Sequence, residues 1–214
     1  MSLTIKICGL SEQISLDAAL DAGADMVGFV FFERSPRHLP LAAGRSLAAR
    51  VGGRAQKVAL TADADDATLA AVIEALAPDV LQLHGRETPE RVGYIRSRFG
   101  RPVMRAIAIG GPADLETVDR FDAVCDWLLF DARPAAGSSR PGGNGHAFDW
   151  SLLTGIGTRC PWLLAGGLQC DNVAPALAKS GARGLDVSSG VETAPGIKDA
   201  GKISRFVAAA RAAS

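Results

Sequence analysis

Eight short apolar runs alternate with amphipathic stretches along the whole of this 214-residue chain. Short apolar runs bounded by turn residues are typical of buried strands, and apolar residues at helical spacing predict helices. The predicted strands are residues 4–8, 26–31, 57–60, 80–84, 102–107, 127–131, 162–165 and 184–187. The predicted helices are residues 11–22, with Ser11 as the expected N-cap, 41–51, 65–76, 89–98, 113–121, a short helix that starts near 148, 172–180 and 201–212.

This regular alternation predicts a parallel sheet that is covered by helices. Eight βα units favour a closed (β/α)8 TIM barrel, formed by residues 1–214 as a single α/β domain, over an open sheet. The main alternative is an open sheet of the flavodoxin or Rossmann type. The GxGxxG pattern of a Rossmann fold does not follow the first strand, because Gly9 stands alone there.

The charge balance and the cysteine content argue against several classes of protein. Lys+Arg and Asp+Glu both number 23, so the chain lacks the basic excess of a nucleic-acid-binding protein. The 4 cysteines form no CxxC pair, and we expect a reduced, cytoplasmic protein without a metal cluster. No apolar run reaches the roughly 18 residues of a membrane span. No interface pattern is evident in the sequence, so we expect a monomer, with a dimer as the alternative.

Polar residues at the predicted strand ends are candidates for the functional site, because the active sites of such barrels lie at the carboxyl ends of the strands. Side chains alternate along a strand, so Cys8 and Lys6 share the inward face of the first strand, roughly 7 Å apart. Asp186 points inward from the last strand by the same rule. Since the first and last strands are neighbours in a closed barrel, Lys6 and Asp186 are expected to pair. Whether this pair has only a structural role stays open at this point.

Two loops predict a phosphate site. Gly166 and Gly167 follow the seventh strand, and Ser188, Ser189 and Gly190 follow the eighth. The loops after these two strands often bind phosphate in this fold, since glycine lets backbone N–H groups approach an anion closely. The alternative is that the glycines only make tight turns. The presence of two such loops on adjacent strands favours phosphate.

Several further motifs lie at or near these strand ends. The most specific are Lys-Ile-Cys-Gly-Leu at 6–10 and Asp-Val-Ser-Ser-Gly-Val-Glu at 186–192. The others are Ser35-Pro36-Arg37, Gln82-Leu83-His84-Gly85, the strand end at 128–131, Gly142-Gly143-Asn144-Gly145 before Phe148-Asp149-Trp150, Ala165-Gly166-Gly167-Leu168 and Pro195-Gly196-Ile197-Lys198-Asp199. These motifs extend from the first predicted strand to the last. In their content and their order along the chain they resemble the phosphoribosylanthranilate isomerases.

The resemblance implies a reaction and assigns roles to residues. Members of this family convert N-(5-phosphoribosyl)anthranilate to 1-(2-carboxyphenylamino)-1-deoxyribulose 5-phosphate, an Amadori rearrangement in tryptophan biosynthesis, without a metal or an organic cofactor. By similarity, Cys8 is the general base and Asp131 is the general acid. Arg37, His84 and Asp186 are the candidates for substrate binding. Arg37 suits the anthranilate carboxylate or the charge of ring opening, His84 lines the substrate, and Asp186 contacts the substrate amine or only balances the buried lysine.

The two catalytic groups must act in the reverse of their ordinary protonation states. Reference pKa values are about 3.9 for Asp and about 8.5 for Cys, whereas the reaction needs a protonated acid and an ionised base. Burial under the substrate favours the protonated form of Asp131, and a nearby cation lowers the pKa of Cys8. Arg37 and Lys6 are the candidate cations. The alternative is that only a minor, reverse-protonated fraction of the enzyme is active.

Other phosphate-binding barrels are the first alternative. An indole-glycerol-phosphate synthase would carry an inward lysine acid, and a pentose-phosphate epimerase would carry metal-binding histidines and aspartates at the strand ends. The three histidines, His38, His84 and His146, are poorly placed for a metal cluster.

A catalytically silent sugar-phosphate-binding barrel is the alternative from another class, and the retention of Cys8 and Asp131 argues against it. An isomerase that also acts on the histidine-pathway aminoaldose usually has a pair of aspartates, so Cys8 points away from that activity. Residues 132–146 form a long loop. Its stretch 132–140, before the glycine turn, is longer than the family pattern, and we expect it to act as a lid.

Overall fold

Eight parallel strands close into a barrel in the computed structural model, which describes residues 3–134 and 147–214. The strands follow one another around the barrel in chain order, and the last pairs with the first. Their bounds are β1 Thr4–Cys8, β2 Met26–Val30, β3 Gln56–Thr61, β4 Val80–Leu83, β5 Val103–Ile109, β6 Trp127–Ala132, β7 Trp162–Leu164 and β8 Gly184–Val187. The predicted (β/α)8 barrel is confirmed, and the open-sheet alternative is wrong.

Helices cover the outside of the barrel. Those in the described residues are α1 Gln13–Asp21, α2 Leu41–Val51, α3 Asp66–Leu76, α4 Pro89–Phe99, α5 Val118–Asp122, α6 Val173–Ser180 and α7 Ala200–Ala212. Two 3-10 helices are also present: Pro112–Thr117 forms the first part of the helix predicted at 113–121, and Trp150–Leu153 lies where a short helix was predicted to start near 148. In the first of them Asp114 Oδ2 accepts hydrogen bonds from the N–H groups of Gly110 and Gly111, which holds the chain in a tight turn.

The prediction that Ser11 caps the first helix is wrong. Helix α1 begins at Gln13, and Glu12 occupies the N-cap position. The N–H groups of Gly9 and Leu10 both donate to the Gly28 carbonyl, at 2.9 and 3.0 Å. The chain is therefore still tied to β2 at Leu10, and the helix starts only after it has left the sheet.

Alternation along the strands separates two apolar cores. The barrel interior is filled mainly by aliphatic and methionine side chains, namely Met26, Val58, Val80, Met104, Ala106, Leu129, Leu163 and Ala165. Residues one position away, such as Val27, Ala59 and Leu81, belong to the larger core between the barrel and the helices. Since this packing fixes which side chains point inward, it also directs the polar residues at the strand ends toward the barrel mouth.

A buried ion pair ties together the loops that follow β3 and β4. Arg105 Nη1 donates to the Leu83 carbonyl at 2.9 Å and to Glu87 Oε2 at 2.8 Å. Glu87 also accepts hydrogen bonds from the N–H groups of Asp63 and Gly85, both at 2.9 Å. These bonds fix the segment on either side of His84 to the outer wall of the barrel.

After β8 the chain forms a small hairpin that the sequence analysis did not predict. A 3-10 helix, Ser189–Val191, leads into two antiparallel strands, β9 Glu192–Ala194 and β10 Ile197–Lys198. Gly196 at its tip has φ of +87°, and a Cβ there would lie 2.4 Å from the Pro36 carbonyl oxygen. Glycine thus lets the hairpin pack against the loop after β2.

A helix that spans a membrane must be both long and apolar, and the described helices differ from such a helix. None of them combines the length and the apolar character that crossing a membrane demands.

We predict that Gly28→Ala destabilises the barrel. A Cβ at this inward-facing position would lie 2.9 Å from Cys8 Sγ and 3.1 Å from Cys8 Cα. Overpacking of this kind costs about 1–3 kcal/mol, which urea-induced unfolding measures. The matched control is Gly157→Ala, because a Cβ there meets nothing within 4 Å. Equal stabilities of the two variants would contradict the packing argument.

Candidate active site

Cys8 ends β1 and points into the barrel mouth, as predicted. Only 4% of the residue is exposed. Its register partner on β2 is Gly28, whose missing side chain leaves room for the Cys8 thiol. The thiol therefore stands on a rigid strand in a close-fitting site, which is the setting that a precisely placed base needs.

Lys6 lies directly below Cys8 and pairs with Asp186 across the closure of the barrel. Lys6 Nζ donates to Asp186 Oδ1 at 2.7 Å, and the lysine side chain is fully buried. This confirms the pair expected from strand alternation. Burial by itself lowers the pKa of Lys6, but the Asp186 charge and hydrogen bond outweigh it, so the net direction is upward. Lys6 is thus a firmly charged ammonium beneath the thiol.

The charge of Lys6 does not make Cys8 an unusually acidic thiol. Burial raises the pKa of Cys8 above its ordinary value, and the lowering by Lys6 is smaller and is opposed by Asp186. Lys6 thus lowers the pKa of this thiol as expected, but not enough to offset burial, and Arg37 is not among the groups that shift it. Lys6 shares its charge with Asp186, and Arg37 is engaged elsewhere.

Asp131 lies near the end of β6, three strands away from Cys8 around the barrel. Its Oδ1 accepts a hydrogen bond from the Ala132 N–H at 2.8 Å, and its Oδ2 lies 3.3 Å from His84 Nε2. A Cβ on Gly166 would come within 3.1 Å of the carboxylate. The structure thus brings Asp131, His84 and the loop after β7 together at one side of the mouth.

Arg37 is buried rather than exposed on its loop. Its Nε and Nη2 donate to the two carboxylate oxygens of Glu192 at 2.7 and 2.8 Å. Lys198 Nζ donates to Glu192 Oε1 at 2.6 Å and to the Ser188 carbonyl at 3.0 Å. One carboxylate therefore joins two cations, and this triad connects the loop after β2 with the loop after β8.

The loops after β7 and β8 lie against each other at the barrel mouth. Gly166 and Gly167 have φ of +84° and +66°, and their N–H groups donate to no backbone carbonyl of the described residues. A Cβ on Gly190 would lie 1.9 Å from the Leu168 carbonyl oxygen, so the two loops touch there. Successive N–H groups in left-handed and turn conformations form concavities that bind anions.

The Ser188 side chain has a structural task in addition to its predicted place in the phosphate site. Its Oγ donates to the Cys8 carbonyl at 3.0 Å and accepts from Lys198 Nζ at 3.1 Å. Ser188 therefore links the end of β1 to the loop after β8, and its backbone rather than its hydroxyl is left for a ligand.

Three functional candidates escaped the sequence analysis: Glu192, Lys198 and Gln82. All three occur in the motifs quoted above, but the contacts of Glu192 and Lys198 are between loops, and no periodicity signals such contacts. Gln82 lies two residues before His84, so strand alternation places both on one face.

The glycine turn at 142–145 and most of the expected lid at 132–146 lie outside the described residues. In residues 3–134 and 147–214 no group of His, Cys, Asp and Glu side chains is arranged to hold a metal ion.

Comparison with known proteins agrees with the resemblance drawn from the motifs. The family model of N-(5'phosphoribosyl)anthranilate (PRA) isomerase matches residues 5–209. The N-(5'-phosphoribosyl)anthranilate isomerase of Beijerinckia indica subsp. indica is 61% identical over 211 residues, which cover 99% of this chain and 95% of the relative.

Solved structures of this family also match over nearly the whole chain. The crystal structure of phosphoribosyl anthranilate isomerase from Thermotoga maritima has a TM-score of 0.88 at 28% identity and covers 98% of this chain and 99% of its own. A crystal structure of the isomerase in complex with reduced 1-(o-carboxyphenylamino)-1-deoxyribulose 5-phosphate has a TM-score of 0.82 at 26% identity, with coverage of 98% and 99%. The chain belongs to the phosphoribosylanthranilate isomerase family.

Proposed function

We propose that this protein converts N-(5-phosphoribosyl)anthranilate to 1-(2-carboxyphenylamino)-1-deoxyribulose 5-phosphate, the isomerisation of tryptophan biosynthesis, by general acid–base catalysis. The observation that carries the proposal is the placement of a buried thiol, a buried carboxylate and two loops with open backbone N–H groups around one barrel mouth. The matching complex with a reduced form of the product supports the substrate class.

Asp131 acts first as the general acid. It donates a proton to the ribose ring oxygen, the bond between C1 and that oxygen breaks, and the nitrogen lone pair forms a C=N⁺ bond at C1. Asp131 is then a carboxylate, whose Oδ1 accepts the hydrogen bond of the Ala132 N–H and whose Oδ2 lies 3.3 Å from His84 Nε2. Hydrogen bonds that strengthen as charge develops lower the barrier of this step.

Cys8 acts next as the general base. Its thiolate removes the proton from C2, the C–H electrons form the C1=C2 bond, and the iminium nitrogen becomes a neutral amine. The resulting enol tautomerises to the ketone. Both transfers need the groups within hydrogen-bonding reach of the substrate, and their separate positions on β1 and β6 suit attack on two different atoms of one sugar.

The backbone groups of Gly166, Gly167, Ser188, Ser189 and Gly190 bind the phosphate in this proposal. Holding the phosphate at the ends of β7 and β8 places the ribose across the mouth, since β8 adjoins Cys8 on β1 and β7 adjoins Asp131 on β6. The positive φ values of the two glycines support this assignment.

Arg37, His84 and Asp186 complete the proposed substrate site. Arg37 uses two of its three nitrogens on Glu192, which aims the guanidinium and leaves Nη1 for the anthranilate carboxylate. Asp186 balances Lys6 and keeps 9% of its side chain exposed for the substrate amine. The monomeric state and the cytoplasmic location expected from the sequence stay predictions.

We predict that Cys8→Ala and Asp131→Asn each lower kcat by about 100-fold or more, because each removes one general acid–base group. The assay follows the loss of fluorescence of freshly prepared phosphoribosylanthranilate. Cys125→Ala and Asp126→Asn are the matched controls. Both residues come directly before β6, at the end of the barrel that lies away from the mouth. Unchanged turnover in either test variant would show that the pair is misassigned. A wild-type rate no faster than the spontaneous decay would defeat the proposed function and favour the silent barrel.

A second prediction concerns the ionisation of Cys8. Because burial raises the pKa of this thiol, only a small fraction is thiolate at neutral pH, and alkylation by iodoacetamide should keep accelerating with pH beyond 9.0. Mass spectrometry of the Cys8 peptide measures the rate, and the exposed Cys170 shows that the reagent stays active. A Cys8 rate that levels off near neutral pH would contradict burial as the dominant influence.

The third prediction concerns Glu192, which neutralises Arg37 and Lys198 together. Burial by itself raises the pKa of Glu192, but the Arg37 hydrogen bond and the Lys198 charge outweigh it, so the pKa lies below 4.5 in the folded state. The triad therefore stabilises the protein above that pH and loses its effect on further acidification. Glu192→Gln should cost about 3–5 kcal/mol of unfolding free energy at neutral pH, because it leaves two buried cations without a counter-charge.

Lys198→Met is the comparison variant, since it keeps the two bonds between Arg37 and Glu192. It should lose less stability than Glu192→Gln in urea unfolding. A larger loss in Lys198→Met would show that the lysine, rather than the carboxylate, holds the triad together.

A further inference from the structure

Gln82 is a fully buried amide in the apolar interior of the barrel. It points inward from β4, and its register partners on the neighbouring strands are Leu60 and Met104. Its Oε1 meets no hydrogen-bond partner among the residues that the structure describes. An unpaired buried oxygen costs free energy, so the packing of the barrel alone does not explain a glutamine at this position.

The other end of the amide contacts a residue of the proposed active site. Gln82 Nε2 lies 3.1 Å from His84 Nδ1. On the opposite side of the ring, His84 Nε2 lies 3.3 Å from Asp131 Oδ2. Toward an ionised Asp131 the ring presents a hydrogen on Nε2, and Nδ1 is then a bare acceptor. The Gln82 NH2 group is the donor that this bare nitrogen requires.

We propose that Gln82 is a positioning residue for the acid half-reaction, which holds His84 as the neutral ring with its Nε2–H directed at Asp131. The inference rests on the proposed function only for its kinetic consequence. The Ala132 N–H then holds one oxygen of the carboxylate by a hydrogen bond, and the His84 ring faces the other at 3.3 Å. Asp131 is thereby kept in one rotamer, with a donor in place for the charge that it acquires when it protonates the ring oxygen.

This role accounts for the orphaned oxygen. An apolar side chain at 82 would suit the neighbours Leu60 and Met104 but would leave His84 Nδ1 without a donor. A glutamine supplies that donor at the cost of one unpaired acceptor. A side chain selected for packing alone would not carry this cost, because methionine or leucine fills a similar volume.

The first test is spectroscopic and needs no activity. The chain has 3 histidines, so a protein labelled with 15N-histidine gives few ring signals, and His84→Ala identifies those of His84. In the substrate-free protein at neutral pH we expect Nε2 protonated and Nδ1 unprotonated and hydrogen-bonded. In Gln82→Met the Nδ1 resonance should move toward that of a free, unprotonated nitrogen. A proton on Nδ1 in the wild type, or an unchanged Nδ1 resonance in Gln82→Met, would overturn the proposal.

The second test is a double-mutant cycle on the isomerase reaction. Gln82→Met should lower kcat by roughly tenfold, a part of what a general acid contributes, with KM changed by less than about twofold. In the His84→Ala background the same substitution should change kcat by less than about twofold, because the residue through which Gln82 acts is gone. A tenfold loss in both backgrounds would mean that Gln82 acts through the barrel rather than through His84, and would overturn the proposal.

Two further variants keep the test decisive. Gln82→Leu repeats it with a shorter, branched side chain if methionine does not fit. Gln56→Met makes the same change at an exposed glutamine of β3 and should behave as the wild type in both measurements. An inactive wild type would defeat the proposed function, while the histidine spectra would still decide the role of Gln82.

Discussion

Closure of the barrel between β1 and β8 is the constraint on which the rest of the structure depends. The register of these strands places Lys6 opposite Asp186, and the two side chains pair inside the barrel at 2.7 Å. Once the first strand is locked to the last, the side chains at each strand end converge on one mouth. The positions of Cys8 and Asp131 follow from that closure and from the alternation of side chains along the strands.

Three sets of buried charges then connect the loops to the barrel. They are the Lys6 pair, the pair of Arg105 with Glu87, and the triad around Glu192. Burying charges costs free energy unless each finds its partners, and here the carboxylates of the last two sets accept two or more hydrogen bonds each. This arrangement favours a unique loop geometry over maximal stability, which suits a site that must hold several groups at fixed distances.

The same burial explains the difficulty of the proposed chemistry. The thiol that must act as a base lies where burial disfavours its charged form, and Lys6 compensates only in part. A raised pKa of Cys8 leaves only a minor fraction of this thiol ionised in the substrate-free protein. Desolvated surroundings also strengthen every charge interaction that forms when the substrate binds, so a small reactive fraction is compatible with efficient catalysis.

Most of the fold could be predicted because its signal is local. Apolar periodicity located the eight strands, and each predicted strand end differs from the observed end by at most two residues. Alternation along the strands placed Cys8, Lys6 and Asp186 on inward faces. The errors at Ser11 and at 113–121 arose where tertiary hydrogen bonds or a local turn overrode helix propensity.

The sequence by itself determined the barrel, the family resemblance and the residues at the strand ends, since these depend on spacings of two to four residues. Only the tertiary structure decided that Arg37 is bound by Glu192, 155 residues away, and that Gln82 meets His84 beside Asp131. The first contact joins two loops, whose paths no periodicity encodes. The contact of Gln82 with His84 depends on the orientations of the amide and of the ring. Side chains of neighbouring strands set these orientations, because close packing within the barrel restricts each side chain to one conformation.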